Sequence, residues 1–104
     1  MRVGCLARAL ANRCFVVQSV TAGEAQWSPA LDVNTGEAAI HAPMDVGLPA
    51  DGVVASTRGD EAWALAELDL DALEASRARA QVANDRDWPG QLAPALQAAR
   101  VTPL

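Results

Sequence analysis

The sequence contains no lysine and no tyrosine, and it has a single phenylalanine. Without lysine, no mechanism that needs a side-chain amine runs on these 104 residues alone. The eight basic residues are all arginine and are set against thirteen acids, for a net charge of −5. Nucleic-acid binding draws on clustered cations that displace counterions from phosphates, so this balance argues against that class of partner. No apolar run reaches the roughly 20 residues that a membrane-spanning helix needs. Histidine occurs once, at His41, and a structural metal site takes several ligands. Neither a metal nor a cofactor is therefore expected. The two cysteines, Cys5 and Cys14, would lie about 13 Å apart along a helix at 1.5 Å per residue. A disulfide needs Cα atoms within about 7 Å, so both are read as free thiols in a reducing cytoplasm. Residues 1–23 carry three arginines and no acid, but Arg8, Asn12 and Arg13 interrupt the apolar stretch that a secretory signal needs.

What is present is 51% hydrophobic, much of it alanine. That is enough for one domain and too rich for a disordered chain, yet alanine buries little area per residue. Val3, Leu6, Ala7, Leu10 and Cys14 share one face at helical spacing, with Arg2, Cys5, Arg8, Asn12 and Arg13 on the polar side. The spacing predicts an amphipathic helix over about 3–13. Residues 14–20 are short, apolar and β-branched and read as a buried strand. A loop over 21–29 follows, with Gly23 and Pro29 as breakers. Strand-like runs at 30–33 and 38–41 flank Asn34-Thr35-Gly36, which supplies turn chemistry and predicts a hairpin. A second loop spans 43–52 and a short strand 53–56. Asp71 and Glu74 form an acidic capping box for a helix over about 71–82, with Leu70, Leu73 and Ala80 on one face. Residues 84–90 read as an irregular polar stretch anchored by Trp88, and 90–104 as a weakly structured tail.

Each chemically capable residue also has a plainer reading. Cys14 sits at the inner side of a helix–strand junction, where a thiol is structural rather than activated. Cys5 has no base beside it. His41 reads as a surface residue at a strand end. Asp69, Asp71 and Glu74 are explained by helix capping. Asp85, Arg86 and Asp87 read as a salt-bridged turn, and Trp27, Trp63 and Trp88 as packing anchors.

Helix, strand, hairpin, strand and helix in that order do not close on themselves and look like one edge of a larger α/β layer structure. Several segments carry a resemblance. Ala7-Arg8-Ala9-Leu10-Ala11-Asn12 resembles an A-R-A-x-E-N stretch, with Ala11 where the pattern has Glu. Phe15-Val16-Val17-Gln18-Ser19 follows it as a V-V strand. Gly23-Glu24-Ala25 and the run from Trp27 through Ser28, Pro29, Ala30, Leu31, Asp32, Val33, Asn34 and Thr35 to Gly36 look like a loop and hairpin. Ala66-Glu67-Leu68-Asp69-Leu70 is similar to an A-E-[IL]-D-L strand end, and Arg86-Asp87-Trp88-Pro89 to an R-x-x-P element. In this order and spacing, over about 3–89, they resemble the C-terminal portion of the nitrilase superfamily of carbon–nitrogen hydrolases.

The resemblance implies part of a four-layer α-β-β-α sandwich, one incomplete domain over 1–104, and a strand at about 62–68. It implies a parent activity that hydrolyses non-peptide C–N bonds of amides or nitriles through a Cys acyl-enzyme. It also implies that Gly23, Glu24 and Trp27 border the substrate pocket. The family's Glu base, oxyanion-stabilising Lys and Cys nucleophile precede the segment that this chain matches. The chain alone is therefore expected to be inactive, with no catalytic residue of its own. Met1 falls where the family has an internal position, so a fragment, a mis-assigned start or a decayed gene is expected. Partners implied by the resemblance are a homo-oligomer or a full-length homologue, with no nucleic acid, membrane or metal.

Overall fold

The computed structural model describes residues 1–30, 33–81, 83–91 and 93–103. Its elements are α1 (Arg2–Asn12), β1 (Val16–Gln18), β2 (Ala22–Glu24), β3 (Val33–Thr35), β4 (Ala39–His41), β5 (Val53–Ser56), α2 (Leu70–Arg79), α3 (Asn84–Gln91) and α4 (Ala93–Ala98). The fold is mixed α/β. A three-stranded antiparallel sheet runs β1-β4-β5, and β2 and β3 form a separate two-stranded ribbon.

The pairing differs from the expected hairpin. Val33–Thr35 pairs back onto Ala22–Glu24, whereas Ala39–His41 pairs with Val16–Gln18 and Val53–Ser56. Asn34 and Thr35 are strand residues, so the turn chemistry at 34–36 does not join 30–33 to 38–41. Residues 31 and 32 of the expected first strand lie outside the described residues. The loop expected at 21–29 contains β2. Gly36 has φ +33, and a Cβ there would lie 2.5 Å from the Ala22 Cβ and 2.7 Å from the Thr21 carbonyl oxygen. Glycine is required because the chain leaving β3 crosses directly over the start of β2.

Helix α1 packs on β1 and β4. Its orientation is rotated from the expected one. Ala9 is buried and Cys5 and Leu6 are half-buried, while Val3 and Leu10 are exposed. Cys5 therefore lies on the packed side rather than the polar side. An alanine-rich helix has two nearly equal apolar sides, and the sheet selected the one with smaller residues. Ala11 is exposed, so the carboxylate that the family pattern carries at this position would sit at the surface here. The helix ends at Arg13, which adopts the left-handed conformation (φ 49°) usually left to glycine.

Strand β1 is a sheet edge and only one side is covered. Gln18 is buried and Val16 half-buried, but Val17 is 69% exposed. Val17 faces Ile40 and Ile40 faces Ala55 across the sheet. This row lies on the side opposite Gln18 and Ala39, because successive side chains alternate.

Helix α2 begins two residues before the expected box. The side chain of Asp69 accepts from the Ala72 N–H at 2.9 Å, so Asp69 is the cap and Asp71 lies in the first turn. The helix stops at Arg79, and its inner face is Leu73 and Ser76, with Leu70 exposed. Residues 84–91 form a helix instead of an irregular stretch. Pro89 and Gly90 fall in its last turns, where they end a helix rather than preclude one. Arg86 meets Asp87 at 3.7 Å, and the Asp85 side chain lies outside the described residues.

The three tryptophans do not anchor packing. Trp27, Trp63 and Trp88 are 83%, 79% and 59% exposed. Residues 62–68, expected as a strand, have no regular structure. No backbone hydrogen bond holds them among the described residues.

Among the described residues the buried apolar ones are Ala9, Ala39, Ala42, Pro43, Leu73 and Ala83, four of the six being alanine. The molecule measures 51 × 47 × 16 Å, with a radius of gyration of 18.6 Å. A compact chain of this length has about 13 Å. A helix is about 10–12 Å across, so a thickness of 16 Å holds one helix layer on one sheet and no more. The accessible surface is 8011 Å², against roughly 5,500 Å² for a compact monomer of this mass.

Candidate functional site

Three places gather polar chemistry. The first joins the end of α1, the 43–52 loop and α2. Ser76 is fully buried on α2, and its hydroxyl donates to Asp45 Oδ2 at 2.6 Å. The Arg13 guanidinium donates to the same carboxylate oxygen and to Ser76 Oγ at 3.1 Å. Arg77 Nε donates to the Arg13 carbonyl at 2.8 Å, and Arg79 to the Val46 carbonyl at 2.9 Å. The left-handed turn at Arg13 points its side chain and its carbonyl toward α2 together, which accounts for a non-glycine residue in that conformation.

The Asp45 carboxyl is pulled from 3.8 to about 2, first by the Ser76 hydrogen bond, then by the Val46 N–H and by Arg13. It is ionised across the neutral range and carries no proton to transfer. Ser76 has no histidine beside it, since its described partners are Asp45 and Arg13. The cluster is a lock for α2 and not a catalytic triad.

A pH dependence follows. The folded pKa lies below the ordinary value, so the contribution of Asp45 to stability is present above about pH 4 and is lost as the pH falls toward 2. The amides of 70–79 are expected to lose exchange protection over that window. Ser76→Ala removes the largest cause of the shift and leaves the other groups with one partner fewer. It is expected to raise the Asp45 midpoint toward 3.8 and to loosen the docking of α2. Titration of the Asp45 carboxyl carbon by NMR checks this, and an unmoved midpoint would refute the assigned cause.

The second place is beneath α1. His41 is fully buried, not at the surface as the sequence suggested, because β4 is the central strand of the sheet. Its Nε2 lies 3.3 Å from Gln18 Oε1, and Gln18 Nε2 donates to the Glu37 carbonyl at 2.9 Å. Nδ1 has no hydrogen-bond partner among the described residues. Both thiols are free and half-buried, and the described partner of the histidine is Gln18, so no Cys–His pair is assembled among the described residues.

The third place is the β2–β3 ribbon, which carries the expected pocket-rim residues. Gly23, with φ +88, and Glu24 lie in β2 opposite Asn34 and Val33. Asn34 Nδ2 donates to the Gly23 carbonyl at 3.2 Å. Trp27 stands in the turn that follows, and all three are exposed. The structure thus places all three on the β2–β3 ribbon and the turn after β2. Arg13, Asp45 and Ser76 were not singled out from the sequence, since 31 and 63 residues separate the bonded pairs and no local pattern links them.

Among the described residues there is no group of three or more His, Cys, Asp or Glu that could hold a metal ion. Among the described residues no helix is long and apolar enough to cross a membrane. The fold and these clusters define a mixed α/β layer, a helix on an antiparallel sheet, with polar groups that serve its architecture. No protein-family model matches the chain, and no curated protein or solved structure matches it.

Proposed function

We propose that the chain is the C-terminal portion of a nitrilase-type carbon–nitrogen hydrolase, one side of the α-β-β-α sandwich. In this reading it supplies scaffold and the pocket rim at Gly23, Glu24 and Trp27. The Glu, Lys and Cys that hydrolyse the amide or nitrile belong to another segment. The ordered run of family-like segments from Ala7 to Pro89 carries the reading. The sheet row of Val17, Ile40 and Ala55, in which Val17 is exposed and the other two are half-buried, is consistent with it, since a sandwich half presents such a face to the other half.

Translating the genomic DNA upstream of the Met1 codon tests the proposal. The expected result is coding sequence, intact or interrupted, for a Glu, a Lys and a Cys followed by an F-P-E-like stretch. The product of an intact frame would hydrolyse amides or nitriles, and residues 1–104 alone would not. Upstream sequence with no trace of these residues would overturn the reading. The exposed Val17 on the edge strand also favours a second role, a non-catalytic module that packs on a full-length homologue. Co-purification of the two chains would support that role.

A further inference from the structure

His41 is a titratable group sealed inside the layer of α1 and the sheet, fully buried on the central strand. Its neighbour fixes where its proton sits. The Gln18 amide nitrogen donates to the Glu37 carbonyl at 2.9 Å, which turns Gln18 Oε1 toward the ring, 3.3 Å from Nε2. An amide oxygen only accepts, so the neutral ring carries its proton on Nε2 and leaves Nδ1 a bare lone pair. Among the described residues nothing meets Nδ1. A neutral ring tolerates an idle acceptor there. A second proton would have to go on Nδ1, as a buried donor and a buried charge without a partner, which is far costlier.

No counter-charge stands by. The elements packed on β4 are β1, β5 and α1, and neither they nor β4 contain an acid. Strands β1 and β5 carry no titratable side chain. Helix α1 turns the half-buried Cys5 toward the sheet and holds Arg2 and Arg8 at the surface, so its charges would repel an imidazolium. The acids in the segments leading into and out of β4 are engaged elsewhere. Glu37 meets Arg2 at 3.7 Å, Asp45 binds Arg13 and Ser76, and Asp51 accepts the Val53 N–H at 3.0 Å.

We propose that His41 is a pH-sensitive latch for α1: neutral, it seals the helix on the sheet, and a second proton opens that contact. The open state gives the ring to water and binds a proton that the closed state excludes. Closure therefore strengthens as the pH rises and is lost as it falls below the ordinary histidine value of about 6.5. One linked proton moves the opening equilibrium about tenfold per pH unit below that value. This window is separate from that of Asp45, whose contribution is lost only below about pH 4. The latch uses this chain's own layer and does not depend on its assignment to a larger hydrolase.

Amide exchange of residues 2–12 and 39–41 in the full chain, corrected for the intrinsic rate and run from about pH 7.5 to about 5, tests it beside an NMR titration of the His41 ring. Protection of α1 is expected to fall about tenfold per pH unit below about 6.5, with the ring gaining its proton only as protection is lost. His41→Gln keeps a neutral polar side chain at this position and is expected to abolish the dependence. The ring titration of the unaltered chain decides the matter if that variant does not fold. Level protection across the range, a ring that titrates while α1 stays protected, or a His41→Gln chain with the same dependence would overturn the proposal.

Discussion

The purified chain is expected to bind ANS strongly and to unfold over a broad temperature range, without one sharp calorimetric transition. The cause is the composition of what it buries. Four of the six buried apolar residues among those described are alanine, while Val3, Val17, Trp27, Trp63 and Leu65 are at least two-thirds exposed. Cooperative melting needs side chains that lose many contacts at once. A layer 16 Å thick has few of these, and the side of its sheet opposite α1 carries the row of Val17, Ile40 and Ala55. Scanning calorimetry and ANS fluorescence check this. A monomer with a sharp transition and no dye binding would refute it.

Gly36→Ala is expected to be the most damaging single substitution in the ribbon. Its Cβ would lie 2.5 Å from the Ala22 Cβ, 2.7 Å from the Thr21 carbonyl oxygen and 2.9 Å from the Ala22 Cα. Two of these atoms are backbone and the third is a Cβ, so none moves without moving β2. The positive φ adds a cost of about 1–2 kcal/mol for any residue with a Cβ, and overpacking about 1–3 kcal/mol more. The expected result is separation of β2 from β3, with loss of the Ala22–Thr35 and Glu24–Val33 pairings. Amide exchange at 22–24 and 33–35 reads it directly. Unchanged protection would show that the close approach is relieved elsewhere. Gly23→Ala is the control, since nothing lies within 4 Å of a Cβ placed there and only the backbone cost applies.

Local signals were legible in the sequence and partnerships were not. The helix expected over 3–13 is found at 2–12, the strand expected over 53–56 is found there, and the 43–52 loop lies between β4 and β5. Apolar spacing and breaker residues encode such elements. Pairing is decided by distant chain. Asn34-Thr35-Gly36 carries turn chemistry, but β3 finds its partner across Gly23 and Glu24 while β4 turns to β1 and β5. The rotation of α1 escaped because alanine on both sides flattens the pattern. The tryptophans were assigned to a core because large aromatics favour one, and here no element covers them. Of the polar clusters, the capping carboxylate at the start of α2 was visible to within two residues. The Asp45 lock and the buried His41 were not, since both depend on which elements end up side by side.

The lock at Arg13 also orders events in time. Its bonds to Ser76 and Arg77 join residues 63 and 64 positions apart. Closing a loop that long costs roughly 4 kcal/mol of chain entropy before any contact repays it. The sheet's strands, all between residues 16 and 56, close shorter loops. Helix α2 is therefore expected to dock after the sheet has formed. Weakening the lock is then expected to release α2 while the sheet's strands stay paired.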